Sequence, residues 1–208
     1  MKNLLCLVIL LLVATVSFAQ GINFFDVQGN QISKEQFEKQ RDSRVNVALS
    51  FQKGKTTETR LFPRSEIGVI SQERRNKIIS SVQESTGKSI SDTHLIIINY
   101  HQGKDACNSS GNRNKPEMKK YIANHRKKLS RLDNVSEYHL YATMDGLKDY
   151  YLLLDWYLDK NLLIENTFFK YKYPCKSFVI IRPDGKYGAY FGEYGSDQVI
   201  EMAKKIAD

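Results

Sequence analysis

Few residues in this chain of 208 can do chemistry: three cysteines, four histidines and one dense run of basic side chains. Thiol chemistry needs an accessible, partly ionised sulfur and a second sulfur to resolve the mixed disulfide. Cys6 lies inside an N-terminal apolar run, which leaves Cys107 and Cys175 as the sulfur pair of the folded protein. The histidines His94, His101, His125 and His139 stand at no metal-ligand spacing, and no H-E-x-x-H pattern occurs. No metal site, Ser-His-Asp triad or cofactor motif is therefore expected. His125 falls in the apolar stripe of a predicted helix and reads as a satisfied core or boundary histidine. Asn108-Ser109-Ser110 and Asn134-Val135-Ser136 match the glycosylation pattern, which matters only in a eukaryotic secretory pathway.

The compartment decides how the cysteines behave. Lys2, the apolar run Leu4–Ala14 and the small-residue pattern Ser17-Phe18-Ala19 have the order of a secretory signal peptide, cleaved after Ala19. The run falls short of the roughly 20 residues a bilayer span requires, and no other segment approaches that length. A composition of 41% hydrophobic and 26% charged residues is that of a globular protein and excludes disorder, collagen and coiled coil. The expectation is an exported protein, periplasmic or extracellular. In an oxidising compartment an even pair of cysteines favours a disulfide.

Local patterning predicts the elements that carry these residues. Ser33-Lys34-Glu35-Gln36 is a capping box opening a short helix through about Asp42. Val45, Val47, Leu49 and Phe51 alternate as a strand; Lys53-Gly54-Lys55 turns it toward Thr57, Thr59 and Leu61. Ser71 caps a helix ending near Gly87. Residues 20–90 thus read as an extension of hairpin and helices. From residue 91 the order is βαβαββα. Leu95–Ile98 is a strand buried on both faces. A helix starts at Asn114 with Met118, Tyr121, Ile122, Leu129 and Leu132 in one stripe. Tyr138, Leu140 and Ala142 form a strand, and Leu147, Tyr151, Leu154 and Leu158 a second helix. Phe178–Ile181 and Tyr187–Phe191 make a hairpin about Pro183-Asp184-Gly185-Lys186, and Ser196 caps a last helix.

That order resembles the thioredoxin-like superfamily, most closely over Tyr173-Pro174-Cys175 and Phe178-Val179-Ile180-Ile181-Arg182-Pro183-Asp184-Gly185-Lys186. The resemblance covers roughly the last 115 residues. It implies a three-layer α/β sandwich, with Pro174 as the cis-proline and Cys107 at the nucleophile's position facing it. Cys107 and Cys175 then come within disulfide distance. The pair is either a static bridge, or an exchange pair in which Cys107 attacks, aided by Lys104, and Cys175 resolves, or two unpaired thiols. The segment Cys107-Asn108-Ser109-Ser110 departs from C-x-x-C, so the two-cysteine chemistry of thioredoxin itself is absent. Lys104 stands where peroxiredoxins carry Thr or Ser, which argues against a peroxidase.

Between Arg113 and Arg131, eight basic residues face a single acid, Glu117. Such a helix face suits an acidic surface or another exported protein, or is simply solvated. No nucleic-acid motif accompanies it. The sequence reads as a non-catalytic binding or structural module with a Cys107–Cys175 bridge; thiol–disulfide exchange is the alternative.

Overall fold

A computed structural model describes residues 21–108, 115–147 and 153–207. The signal-peptide reading, the Asn114 cap, Ser109, Ser110, Arg113 and Tyr151 lie outside them. The chain is a mixed α/β protein with two sheets and, among the described residues, five α-helices.

Two compact units divide the described residues: one takes 21–40 with Ala48–Leu61, the other Arg41–Val47 with those from Phe62 on. The expected boundary at residue 90 is therefore corrected, because residues 62–90 supply a strand and a helix to the larger unit. The smaller unit is built on β1 (Ile22–Phe25), β2 (Gln31–Ile32), α1 (Lys34–Gln40), β3 (Asn46–Lys53) and β4 (Thr56–Pro63), with sheet order β2-β1-β4-β3. Its capping box forms as expected. Ser33 Oγ accepts from the Gln36 backbone N–H at 3.1 Å, and Gln36 Oε1 accepts from that of Ser33 at 2.9 Å. Phe37, on the helix so started, packs 5.0 Å from the Phe24 ring.

The larger unit holds β5 (Ser65–Val69), α2 (Gln72–Thr86), β6 (Leu95–His101), α3 (Lys115–Leu129), β7 (Val135–Tyr141) and β8 (Trp156–Leu158). It continues with a 3-10 turn into α4 (Leu163–Phe168), then β9 (Ser177–Ile181), β10 (Lys186–Tyr190) and α5 (Ser196–Ala207). The sheet order is β5-β10-β9-β6-β7-β8, with β6 parallel to β7 and antiparallel to β9. Ser71 caps α2 through its Oγ, and Gly87 ends it in the left-handed conformation. The helix expected from Leu147 to Leu158 is corrected over residues 153–158: Leu154 lies in a bend, and Trp156–Leu158 pairs in parallel with His139–Tyr141. Its i, i+4 apolar spacing favours a helix, but Trp156 and Tyr157 are aromatic strand formers, and sheet pairing won.

Because successive strand residues face opposite sides, Ile96, Ile98 and Tyr100 look one way and Ile97, Asn99 and His101 the other. On the first face Tyr100 stacks on Phe169 at 5.0 Å and donates its hydroxyl to Asp159 Oδ2 at 2.8 Å. Asp159 in turn accepts from the backbone N–H of Ile164 and Glu165, so one buried carboxylate starts α4. On the second face Ile97, Phe178 and Ile180 pack with Leu129 of α3 and Val199, Met202, Ala203 and Ile206 of α5. Helix α5 can lie this close because Gly188 has no side chain; a Cβ there would sit 2.4 Å from Met202 Sδ. Gly188→Ala is expected to lower stability by about 1–3 kcal/mol, read from urea unfolding. An unchanged midpoint would mean that α5 is free to shift.

Candidate functional site

Strands β6 and β7 end in polar residues on the α3 side: Asn99 and His101 on one, Glu137 and His139 on the other, with Asn99 beside His139 in register. Buried polar groups must find partners, and these do. Asn99 Nδ2 donates to Glu137 Oε1 at 2.7 Å, and the Tyr194 hydroxyl donates to Asn99 Oδ1. His125 reaches down from α3, with Nε2 at 2.7 Å from Glu137 Oε1 and Nδ1 at 2.9 Å from Ser196 Oγ. The expected satisfied core or boundary histidine is borne out as a core one: His125 is buried and bonded on both ring nitrogens. Ser196, His125 and Glu137 have the spacing of a hydrolytic triad. The serine, however, is buried at the start of α5 and is not among the residues that line the cavity.

Above this network is a cavity of about 530 Å³. Met118, Ile122, Leu147, Leu153, Leu154 and Trp156 give it apolar walls; Asn99, His101 and His139 give it polar points, and Cys107, Cys175, Lys176 and Glu193 also line it. The stripe predicted for α3 is real but divided. Leu129 and His125 are buried against the sheet, whereas Met118, Tyr121 and Ile122 look into the cavity and stay partly exposed. Trp156, the only tryptophan of the chain, stands edge-on to His139 at 5.2 Å and to His101 at 6.2 Å.

Both imidazoles are held neutral. Burial pushes His139 down to about 4 against the pull of Glu137, with the positive charges of Lys176 and Arg126 adding to the fall. Burial likewise lowers His101, whose Nε2 lies 2.7 Å from the Asp145 carbonyl. Burial alone would raise Glu137, but its His125 and Asn99 hydrogen bonds and the nearby histidines outweigh that, and the net shift is downward. Lys176 Nζ sits 4.5 Å above the Tyr194 ring and 5.7 Å from that of Tyr121.

Cys107 and Cys175 form a disulfide across the cavity's edge, with Cα atoms 5.1 Å apart, inside the range a bridge requires. The two loops are also tied without it. Asp105 and Asn108 exchange reciprocal backbone-to-side-chain bonds of 2.9 Å, and Asp105 Oδ2 accepts from the Cys175 N–H at 2.6 Å. One expectation about this loop is corrected. The Tyr173–Pro174 peptide is trans, not cis. Trans is the preferred X-Pro isomer, and the loop is anchored instead by Tyr173 N–H donating to Gln102 Oε1 at 2.9 Å and by the Asp105 bond to Cys175. A carboxylate stands beside the sulfurs: Glu193 lies within 4.8 Å of both Sγ atoms, and Lys104 is an exposed side chain.

Sequence reasoning found the sulfur pair but missed the polar floor. The available signal was polar residues two apart on one face of otherwise apolar inner strands: Asn99 and His101, then Glu137 and His139. No family model, curated protein or solved structure matches the chain.

Proposed function

We propose that this is an exported, non-catalytic binding module of thioredoxin-like build whose cavity takes a small, largely apolar molecule and whose disulfide fixes the cavity's edge. The observation that carries the reading is the cavity itself: apolar walls, a few convergent polar groups, and a volume within the range of small-molecule sites. The thioredoxin-like reading draws support from the strand order β10-β9-β6-β7, with β6 and β7 parallel and the other neighbours antiparallel. Against exchange chemistry stands the Glu193 carboxylate beside both sulfurs. A nearby negative charge disfavours the thiolate that attack requires. The basic side chains of α3, with Lys119, Lys120 and Lys127 exposed, are in this reading a solvated face. No helix among the described residues is long and apolar enough to cross a membrane.

A neutral fluorescent probe, N-phenyl-1-naphthylamine, tests the cavity. It is expected to bind the native protein saturably at one site. Ile122→Trp, which fills the cavity from α3, should abolish that binding without lowering the melting temperature. Equal binding by the variant would place the probe elsewhere and end the proposal.

A further inference from the structure

Three loops of the larger unit bring Cys107, Cys175 and Glu193 together: one after β6, one before β9 and one after β10. The two Sγ atoms and a Glu193 carboxylate oxygen all lie within 4.8 Å of one another. We propose that the reduced form of this protein binds one thiophilic divalent cation, of which Zn²⁺ is the type, through Cys107, Cys175 and Glu193. This goes beyond the binding of an apolar molecule and does not depend on it.

The chemistry begins from the disulfide. A dithiol or phosphine reductant supplies two electrons and the S–S bond breaks. Each sulfur takes up a proton from the dithiol or from water, and the reductant leaves as its disulfide or phosphine oxide. Metal binding then releases both thiol protons to solvent and forms two sulfur–metal bonds. Two thiolates and a carboxylate are three anions at one point, and without a cation they repel one another. A dication reverses that sign, and the set of two sulfurs and one carboxylate oxygen is one that zinc accepts. Zinc takes four ligands, so three from the protein leave one position for water or for a molecule in the adjoining cavity.

The donors are positioned by bonds that survive reduction. Asp105 holds the Cys175 N–H at 2.6 Å. Asn108 Nδ2 donates to the Gly103 carbonyl at 2.9 Å and ties the Cys107 loop to the end of β6. The Arg64 guanidinium donates to the Glu193 carbonyl at 2.8 Å, and the Gly192 N–H donates to Ser177 Oγ at 3.1 Å, which fix the third loop. The bridge is at the surface, with Cys107 and Glu193 exposed, so reductant and metal both have access.

The test uses the whole chain, reduced with a phosphine under anaerobic conditions and titrated with Co²⁺ alone, then with Zn²⁺ in competition. Reduced protein is expected to take up one equivalent of Co²⁺ with a thiolate charge-transfer band, and to exchange it for Zn²⁺. Oxidised protein should take up none. Glu193→Gln leaves the disulfide intact. In the reduced state it should keep the band but bind at least roughly tenfold more weakly, the loss that removing even an outer partner of a ligand causes. Cys107→Ser should lose about half of the band's intensity. Equal uptake by oxidised and reduced protein, or affinity unmoved by Glu193→Gln, overturns the site. So does a reduced chain whose circular dichroism is that of an unfolded one, because the site requires loops that hold without the bridge.

Discussion

Cys107→Ser and Cys175→Ser are each expected to destabilise the protein by about 4 kcal/mol and to lower its melting temperature by roughly 10 °C. The size follows from the length of chain the bridge closes. Its ends are 68 residues apart, and tying them removes a large part of the freedom of the unfolded chain. The two single variants and the double variant should lose the same amount, since each removes the same crosslink. Native protein in excess phosphine should match them. Thermal melts of the four samples check this. A loss confined to one of the two variants would show that the crosslink is not its cause. Neither variant should trap a mixed disulfide with another protein. Capture of such a species by Cys175→Ser would replace the structural reading with exchange.

Acidification is expected to destabilise the protein by about 3 kcal/mol between pH 6.5 and pH 4, through His139. Burial holds this imidazole neutral down to about 4 in the folded protein, whereas in the unfolded chain it protonates near its ordinary 6.5. Between those values the unfolded state binds more protons than the folded one, so stability falls as pH falls. The contribution is fully present above about 6.5 and gone below about 4. His101, lowered by burial as well, acts in the same direction. Glu137 behaves oppositely in origin: its carboxylate is stabilised in the fold, and its contribution is lost only as pH drops through its lowered folded value. Urea unfolding at pH 7.5 and pH 4.5 measures the difference, and His139→Gln should remove most of it. A wild-type profile flat over that window would mean that His139 is open to water and that the cavity floor is not sealed.

Much of this architecture was written locally. The capping box at Ser33 and Gln36, the Ser71 cap and the Gly87 stop act within a few residues, so they read directly from the chain. The turn at Asp184-Gly185 and the existence of β3 and β4 did likewise, although Val45 lies outside β3 and is exposed. The β-branched run Leu95–Ile98 announced a central strand, and the even pair of cysteines announced a bridge. Three things were not local. Strand β5 joins the larger sheet by pairing with β10, more than a hundred residues away, and its own residues, two of them apolar and well exposed, carry no core pattern. Trp156–Leu158 became a strand because β7 offered an open parallel edge, which outweighed helical spacing. The stripe of α3 was legible as apolar, but periodicity does not say whether such a stripe meets side chains or space. Tertiary structure put Leu129 against the sheet and left Met118, Tyr121 and Ile122 lining a cavity. It also set Glu193 against two sulfurs and gathered Asn99, His125, Glu137 and His139 into one partly buried polar network. The sequence by itself determined which side chains were available and which short elements would carry them. Their meeting was decided by strand order and by which helix covers which face, because that depends on contacts between residues tens of positions apart.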